Sequence, residues 1–400
     1  MIICIIAIYF FYTFAKIYIS ASEINFVSKA KNLPAVILSS ENYQKAAEYK
    51  IANEKFAVIS SFWDCALFLF WAVFGLKMLQ NLLITEGGVL QSAVFILVFI
   101  AVNFVLTLPF EIYSIFAKDR KFGFSTIEVK TYAIDNLKSA AIFVIVGGLI
   151  ISLVAWILST FALWWFWSFA AVFAVILVIN MFYPTLIVPL FNKFIPLEDS
   201  ELKNSIEILM QKAGLISSGI FTMDASKRDN RLNAYFGGLG KSKRVVLFDT
   251  LVKKLDKNEL LAVLGHELGH FKHKDILKNI ALMAFLLFML FALLGNLPQS
   301  VYDAFGLEKG AHGIIAIFLL LSSIVSFVMM PLIGYLSRSN EYRADEYGSE
   351  CESKEALASA LVKLADENKS FPRSHFLYIF FYHTHPPLIE RLKTLGMDIK

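Results

Sequence analysis

The chain has 400 residues, of which 57% are hydrophobic and only 18% are charged, and its formal net charge is +4. Soluble domains carry about 25% charged residues, so this composition excludes an ordinary soluble protein and favours a membrane protein. The three cysteines lie in different regions and form no C-x-x-C pair, so they suggest neither a disulfide framework nor a cysteine zinc site.

Seven stretches of the chain are long and apolar enough to cross a bilayer, whose hydrocarbon core of ~30 Å requires about 20 apolar helical residues. The first stretch lacks a basic segment and a small-residue cleavage site, so we interpret it as a retained span and not as a signal peptide. The spans are predicted at residues 2–20, 59–80, 91–112, 139–160, 164–188, 276–296 and 313–336.

The basic residues alternate between successive connections, and this predicts the orientation in the membrane. Residues 21–58, 113–138 and 189–275 are rich in lysine and arginine, whereas 81–90 and 161–163 have none. Short cytoplasmic loops collect positive charge. The pattern therefore predicts an N-terminus outside, a C-terminus in the cytoplasm, and no need for a nucleic-acid partner to explain the net charge.

The segment between the fifth and sixth predicted spans has the pattern of a small α+β fold. A helix is predicted from Asp199 to Ala213, followed by short strands at 219–226, 231–238 and 243–250, which are rich in β-branched and aromatic residues. Further helix follows over 256–275, and Asp256 with Glu259 three residues later forms a plausible capping box at its start.

The sequence LGHELGH (264–270) lies in the middle of that predicted helix. At 3.6 residues per turn, His266 and His270 fall on one face, where two imidazoles can occupy two corners of a tetrahedral zinc site. Glu267 follows the first histidine and is suited to take a proton from a water at the metal. The alternative is a chance match in an ordinary helix, which a third ligand would exclude.

The third ligand is predicted on a later helix. The extended metzincin pattern fails because its glycine position holds His273 and its third histidine position holds Ile276. Glu341 and Asp345, just past the seventh span, are four residues apart and share a helical face. One carboxylate can bind zinc while the other accepts a hydrogen bond from a ligating histidine. The alternative is an amphipathic surface helix with ordinary charges.

With these residues in place, the chain resembles the integral-membrane zinc endopeptidases of the type 1 CAAX prenyl protease family, and more distantly the HtpX-related peptidases. The resemblance extends to FGFST (122–126), PLFNKFIPLED (189–199), NAYFGG (233–238) and HPPLIERL (385–392). HtpX-related peptidases are shorter and have fewer spans. The resemblance implies a mostly α, multi-pass membrane protein with about seven transmembrane helices enclosing a chamber, and a cytoplasmic zincin-like α+β peptidase domain with a small β-sheet.

The resemblance also implies a role for each matching residue. Zinc, one ion per chain, would be held by His266, His270 and Glu341; Glu267 would be the general base, with Asp345 and His385 as further catalytic residues; and Asn233, Ala234, Tyr235 and Arg391 would bind substrate. Asn233 and its neighbours would form an edge strand that aligns the peptide as an added strand. The HPP sequence at 385–387 has a simpler interpretation as a helix start.

The predicted organisation has four parts. They are five N-terminal membrane helices (1–194), a cytoplasmic segment with the histidine motif (195–275), two further membrane helices (276–336), and a C-terminal cytoplasmic segment that supplies the third ligand (337–400). The expected location is the cytoplasmic membrane of a bacterium, or the endoplasmic reticulum or inner nuclear membrane of a eukaryote.

The function that the resemblance implies is hydrolysis of a peptide bond near the C-terminus of a prenylated, membrane-associated peptide, in contact with membrane lipid and without nucleic acid or nucleotide. The phosphate-loop-like GLGKS (238–242) fails because the required first glycine is Tyr235. A broad-specificity quality-control protease is the nearest alternative. A seven-span transporter and a non-catalytic scaffold are alternatives of another class; the first predicts functional polar residues inside spans, and the second needs no general base beside the histidines.

Overall fold

The structure is a computed structural model that describes residues 1–237 and 242–399, and it is a mostly helical membrane protein with one small sheet. Seven helices in this part of the chain are long and apolar enough to cross a membrane, and each coincides with one of the predicted spans, the sixth of which was predicted one residue too far, so the prediction is confirmed. They are Ile2–Ala30, Ser40–Leu83, Val89–Asp119, Val129–Thr160, Trp164–Leu190, Asp275–Gly295 and Ala311–Cys351.

Several of these helices continue well beyond the apolar stretch that reveals them. The helix Ala311–Cys351 has 41 residues, which at 1.5 Å per residue is about 60 Å, roughly twice the hydrocarbon thickness. The connections over 21–58 and 113–138 are likewise largely helical. Hydropathy detects only the apolar part of such a helix. This extension matters because Glu341 lies on the helix Ala311–Cys351, beyond the apolar stretch of that helix and continuous with it.

The individual helices are numbered in chain order. The first half of the chain contains α1 (Ile2–Ala30), α2 (Ser40–Phe70), α3 (Leu76–Leu83), α4 (Val89–Tyr113), α5 (Val129–Ile142), α6 (Gly148–Thr160) and α7 (Trp164–Phe182). Turns of π-helix join or extend them at Trp71–Gly75, Ser114–Asp119, Phe143–Gly147 and Tyr183–Ile187. The second half contains α8 (Ser200–Lys212), α9 (Asp249–Lys254), α10 (Lys257–Lys272), α11 (Asp275–Gly295), α12 (Gln299–Ala304), α13 (Ala311–Cys351), α14 (Lys354–Glu367), α15 (Phe376–Tyr382) and α16 (Leu388–Thr394).

In the described residues the sheet has four strands in the order β1-β2-β4-β3, with β2 and β4 parallel and the other pairs antiparallel. Its strands are β1 (Phe194–Pro196), β2 (Ile216–Met223), β3 (Ala234–Gly237) and β4 (Ser242–Phe248). The three predicted strands are confirmed with shifted ends. Residue 238 of the predicted second strand, and 238–241 of GLGKS, lie outside the described residues. The prediction missed β1, because three residues that include a proline give little strand signal; proline is accepted at a sheet edge.

The sheet shares one apolar core with several helices, among them α8 and α10. Val245 and Leu247 of β4 are fully buried and pack in a cluster with Leu264 and Leu268 of α10. Alternate residues of a strand face the same side, so this face of β4 is directed toward the helix that carries LGHELGH. Helix α8, predicted over 199–213 and confirmed at Ser200–Lys212, contributes Ile206 to the same core.

The N-terminal helices hold the segment that leads into β3. The Nε of Arg228 donates to Asp135 of α5 at 2.8 Å, and Nη2 of Arg231 lies 3.1 Å from Asp119. The FGFST sequence contributes a bridge between Ser125 and Asp229. The membrane helices therefore fix the start of the edge strand. Whether the spans enclose a chamber stays a prediction.

Candidate metal centre

The helix that carries LGHELGH begins with a complete capping box. The side chain of Asp256 accepts from the backbone N–H of Glu259 at 2.9 Å, and the Glu259 carboxylate accepts from the N–H of Asp256 at 2.9 Å. Glu259 also accepts from Ser359 at 2.7 Å and pairs with Lys363 at 2.6 Å. The predicted capping box is confirmed, and it fastens the start of α10 to α14.

Two glycines of the motif allow α13 to approach α10 closely. A Cβ at residue 269 would lie 2.9 Å from the Cα of Ala344, and a Cβ at residue 265 would lie 2.9 Å from the Cβ of Cys351. On the other helix, a Cβ at Gly348 would lie 2.8 Å from the backbone nitrogen of His266. Glycine in a helix interior costs about 1 kcal/mol relative to alanine. These glycines therefore allow a backbone contact that brings the two helices' side chains together.

This close approach places Glu341 between the two histidines. The Nε2 of His266 lies 3.5 Å from Oε2 of Glu341, and the Nε2 of His270 lies 3.3 Å from Oε1. One ligand atom from each residue falls within 4.8 Å of the others. The structure thus brings together all three residues that the sequence predicts as metal ligands.

The other ring nitrogen of each histidine meets a carboxylate. Nδ1 of His266 lies 2.8 Å from Oδ1 of Asp345, and Nδ1 of His270 lies 3.2 Å from Oδ2 of Asp275. In its neutral form, a histidine that donates its Nδ1 hydrogen to a carboxylate presents an unprotonated Nε2. Both Nε2 atoms face Glu341, so the imidazoles are oriented for a ligand at that point.

Arg391 and His385 complete the polar surroundings of Glu341. Nε of Arg391 donates to Oδ2 of Asp345 at 2.8 Å, and its Nη1 lies 3.5 Å from Oε2 of Glu341. Nδ1 of His385 lies 2.8 Å from the same oxygen, with its side chain 64% exposed. That Glu341 oxygen is buried and has no partner in hydrogen-bond geometry. An acceptor atom kept this way is expected where a cation is to bind.

The charges around the centre shift the pKa of several of its groups, among them two that carry positive charge when protonated. Burial lowers the pKa of His270, but the hydrogen bond and charge of Glu341, together with Asp275, more than offset burial and raise this pKa to about 9. Burial also opposes the charge of Arg391, yet its ion pair with Asp345 keeps the pKa of the guanidinium above its usual value. Both shifts result from the same concentration of carboxylates, and such a concentration favours a cation.

A cavity of about 310 Å³ opens at the centre, lined by Glu267, His270 and Glu341 and by Tyr235 and Phe236 of β3. Glu267 is therefore on the open side of the histidine pair. Strand β3 lies at one edge of the sheet. In the described part of the chain, its outer edge pairs with no other strand.

Two further residues of the predicted substrate-binding strand lie at its start. Asn233, exposed, directly precedes β3, and Ala234 is its first residue. The structure places both at the start of the edge strand, whose second residue, Tyr235, lines the cavity. Their contact with a peptide stays a prediction. Arg391 is only 11% exposed and is engaged by carboxylates, so its substrate contact also stays a prediction.

Sequence reasoning missed Asp275 and the three glycines. Asp275 is five residues past His270 and begins the next helix, where Lys274 takes a left-handed conformation with φ 57°. That turn is invisible to helical spacing, which ends with the helix. The glycines can be found from the sequence, because a glycine inside a predicted helix indicates close packing at that position.

A bundle of candidate membrane spans joined to a His-His-Glu cluster that could hold a metal ion, with an adjacent glutamate, is the arrangement expected of a membrane metallopeptidase. Comparison with known proteins agrees. Residues 196–397 match peptidase family M48, and residues 23–193 match the CAAX prenyl protease N-terminal family, which has five membrane helices. The chain therefore belongs to peptidase family M48, within its CAAX prenyl protease group, and is a membrane zinc metalloprotease of the CAAX type.

Relatives of this group match the chain over almost its full length. CAAX prenyl protease 1 of Saccharomyces cerevisiae is 32% identical, and the alignment covers 94% of this chain and 91% of the relative. The human CAAX prenyl protease 1 homolog is 29% identical over 90% of this chain and 87% of its own. The crystal structure of Ste24p from S. mikatae superposes with a TM-score of 0.90 at 31% identity, covering 98% of both chains. These matches do not favour the quality-control alternative.

Proposed function

We propose that this protein binds one zinc ion through His266, His270 and Glu341 and cleaves a peptide bond near the C-terminus of prenylated, membrane-associated substrates. The observation that carries the proposal is the convergence of two Nε2 atoms and a buried carboxylate within 4.8 Å, beside the cavity that Glu267 lines. The names of the relatives, CAAX prenyl protease 1, support the substrate class.

The donor set fits zinc rather than a harder cation. Two imidazole nitrogens and one carboxylate oxygen are the ligands of several catalytic zinc sites, which leave a fourth position for water. Carboxylates behind both histidines fix their orientation and increase the donor strength of Nε2. Calcium and magnesium sites are built from oxygen ligands alone.

Each protein group around the site has a separate role in hydrolysis. Zinc, when bound, supplies a Lewis acid that polarises the scissile carbonyl and lowers the pKa of water toward ~7. Glu267 takes the proton of the attacking water on its carboxylate and passes it to the leaving amine. Asp345 holds His266, and Arg391 holds Asp345. His385, exposed at the rim, donates to the developing oxyanion or to the substrate.

The substrate peptide adds to β3 as a further strand. Main-chain hydrogen bonds to Asn233, Ala234 and Tyr235 align it beside the metal centre, and Arg391 binds it where the peptide passes His385. An unpaired strand edge beside a catalytic cavity suits this mode, because it accepts any side chain while fixing the backbone.

The chain is an integral membrane protein, and its basic loops support an N-terminus outside with the metal centre on the cytoplasmic side, in contact with membrane lipid. We assign the five helices before residue 194 and the pair over 276–336 to the membrane, and 195–275 with 337–400 to the peptidase. The compartment follows from the source: the cytoplasmic membrane in a bacterium, the endoplasmic reticulum or inner nuclear membrane in a eukaryote. Neither nucleic acid nor nucleotide has a part in the proposal.

The decisive experiment compares the purified protein with Glu267→Gln, using a farnesylated C-terminal peptide and measuring bound zinc. We expect about one zinc per chain in both proteins, and release of the last three residues by the wild type only, with the variant at least ~100-fold slower because the general base is lost. Zinc without cleavage of the prenylated peptide would contradict the substrate class. Absence of zinc from the wild type would contradict the metal site.

A further inference from the structure

A second cavity, of about 370 Å³, lies between the membrane helices α11 and α13 and is almost entirely apolar. We call it the α11/α13 groove. Leu282, Met283 and Leu286 form one wall, and Met329, Met330 and Ile333 form the other. Methionine is flexible and polarisable, so three of them in one lining suit an apolar chain that can take many conformations.

The groove is continuous with the catalytic cavity. Asn279 and Ser337 line both of them, and the catalytic cavity also includes Glu267, His270 and Glu341. Asn279 lies in the first turns of α11, and Ser337 is four residues before Glu341 on α13. A molecule bound at the metal centre can therefore extend into the groove without leaving the protein surface.

The groove extends away from the metal centre, along the apolar part of both helices. On α11 its lining runs from Asn279 to Leu290, which is about 16 Å at 1.5 Å per residue. On α13 it runs from Ser337 back to Val325, a similar length. Both helices are candidate membrane spans, so the far end of the groove lies at membrane depth while the near end meets the polar site.

We propose that the α11/α13 groove binds the prenyl chain of the substrate. This inference rests on the proposed function, which places the scissile bond directly after a prenylated cysteine. The thioether of that cysteine must then lie beside the metal centre, and its isoprenoid chain must leave the cavity near that point. The groove is an apolar exit that begins there, and burial of the chain in it lowers the free energy of binding of prenylated over unlipidated peptides.

An acyl chain of a membrane lipid is the competing occupant, since any groove between membrane helices offers apolar surface. The shared Asn279 and Ser337 favour the substrate. An acyl chain of a lipid does not require a groove that begins at the catalytic cavity. A prenyl chain that is covalently attached to the bound peptide must be accommodated at that point.

The test fills the groove and measures the preference for a prenylated peptide. Ser326→Trp and Leu286→Trp add bulk from opposite walls. The readout is the ratio of kcat/KM for a farnesylated peptide to kcat/KM for the same peptide without the lipid, in one detergent. We expect both variants to lower this ratio about tenfold, mainly through KM of the farnesylated peptide. The matched control is Val328→Trp, which is 61% exposed on α13 and outside the groove lining, and which should keep the wild-type ratio.

A binding experiment identifies the occupant directly. A farnesylated peptide with a photoreactive diazirine at the end of its prenyl chain should label residues of α11 and α13. Unlabelled farnesylated peptide should suppress the labelling, and excess phosphatidylcholine should not. Labelling on other helices would overturn the proposal, and suppression by phosphatidylcholine would show that the groove is a lipid site.

The outcomes also separate this inference from the proposed function. A wild type that cleaves neither peptide overturns the proposed function and the inference with it. A wild type that cleaves both peptides equally overturns the prenyl requirement. A wild type that prefers the farnesylated peptide, together with Trp variants that keep this preference, overturns the groove alone.

Discussion

Each histidine of the metal centre is oriented by a carboxylate, and the two carboxylates come from different parts of the chain. Asp345 is one helical turn past Glu341 on α13, so spacing alone predicted its neighbourhood. Asp275 follows a turn at Lys274, whose positive φ reverses the chain so that the start of α11 lies beside His270. Its buried carboxylate also receives bonds from Lys278 and Arg343. It is the part of the site that no linear pattern predicted.

Replacing Asp275 by asparagine should weaken zinc binding without displacing the histidines. The amide keeps the size of the side chain but loses the charge that strengthens the Nδ1 hydrogen bond of His270 and the donor strength of its Nε2, and such changes cost about 10- to 100-fold in metal affinity. Competition with a chelator measures the loss. Lys278→Met, which removes a half-exposed partner of Asp275, should keep the wild-type affinity. Equal zinc affinities of Asp275→Asn and the wild type would show that Asp275 only stabilises the turn between α10 and α11.

At the scale of elements, the site depends on how closely α10 and α13 pack. The candidate ligands lie on two helices that are far apart in sequence, and only glycine at 265, 269 and 348 permits the observed backbone approach. In membrane proteins small residues allow helices to approach in the same way. The histidine motif is therefore a packing motif as well as a candidate ligand set, since its glycines allow Glu341 to approach the two histidines.

Gly269→Ala tests this packing. The added methyl would lie 2.9 Å from the Cα of Ala344, a backbone atom that moves only with the helix. We expect a destabilisation of about 1–3 kcal/mol, as for other overpacked sites, together with weaker zinc binding as Glu341 shifts. Thermal unfolding in detergent and chelator competition measure the two effects. Gly148→Ala is the matched control, since its methyl meets only a side chain at 3.7 Å. An unchanged zinc affinity in Gly269→Ala would contradict the role of the glycines.

The anchoring of α10 by Glu259 should depend on pH. Burial raises the pKa of this carboxyl, but Lys363, Ser359 and the N–H of Asp256 more than offset burial, so the pKa lies below its usual range. A lowered pKa in the folded state means that the stabilisation is present above the unfolded-state pKa of about 4.3 and is lost as pH falls through the folded-state value. Glu259→Gln should therefore destabilise by about 1–2 kcal/mol at pH 7.

The difference in melting temperature between the wild type and Glu259→Gln is the measurement, taken at several pH values in detergent. It should shrink steadily on acidification below the unfolded-state pKa, because the carboxyl becomes neutral in both states. Loss of metal at low pH affects both proteins alike and cancels in the difference. A difference that is constant from pH 7 to pH 3 would show that Glu259 acts through packing and not through its charge.

The sequence was sufficient for the periodic features and insufficient for the contacts between distant segments. Apolar runs predicted all seven spans, and β-branched runs predicted three strands, because these signals are local. The pairs Glu341/Asp345 and Asp256/Glu259 were predicted because each lies within one helical turn. Helix ends, strand β1 and the partner of His270 were not, since turns and tertiary contacts determine them. The three candidate ligands could be named because a metal ion accepts few donor types, whereas packing determines the residues that support them.

At the scale of the whole molecule, the first helix is connected to the catalytic centre through α15. Glu23 of α1 is fully buried, and its carboxylate accepts from the hydroxyl of Ser374 at 2.6 Å and the N–H of His375 at 2.7 Å, which caps the start of α15. At the other end, Nη1 of Arg338 donates to the carbonyl of His383 at 2.6 Å. Arg338 is three residues before Glu341, and His383 is two residues before His385. The hydrogen bond between Arg338 and His383 therefore joins α13 to the segment after α15 close to the site.

Glu23→Gln should therefore slow catalysis from a distance. The amide keeps one acceptor but loses the charge that strengthens both bonds and pairs with Lys50 at 3.6 Å. With a looser start to α15, His385 is held less firmly, and we expect kcat to fall about tenfold, because small displacements of catalytic groups are costly. Zinc content should stay at the wild-type value, since none of the ligands is touched. Glu48→Gln, on the exposed side of α2, is the matched control. A parallel loss of zinc would point to general misfolding, and an unchanged kcat would mean that α15 is positioned by its apolar contacts alone.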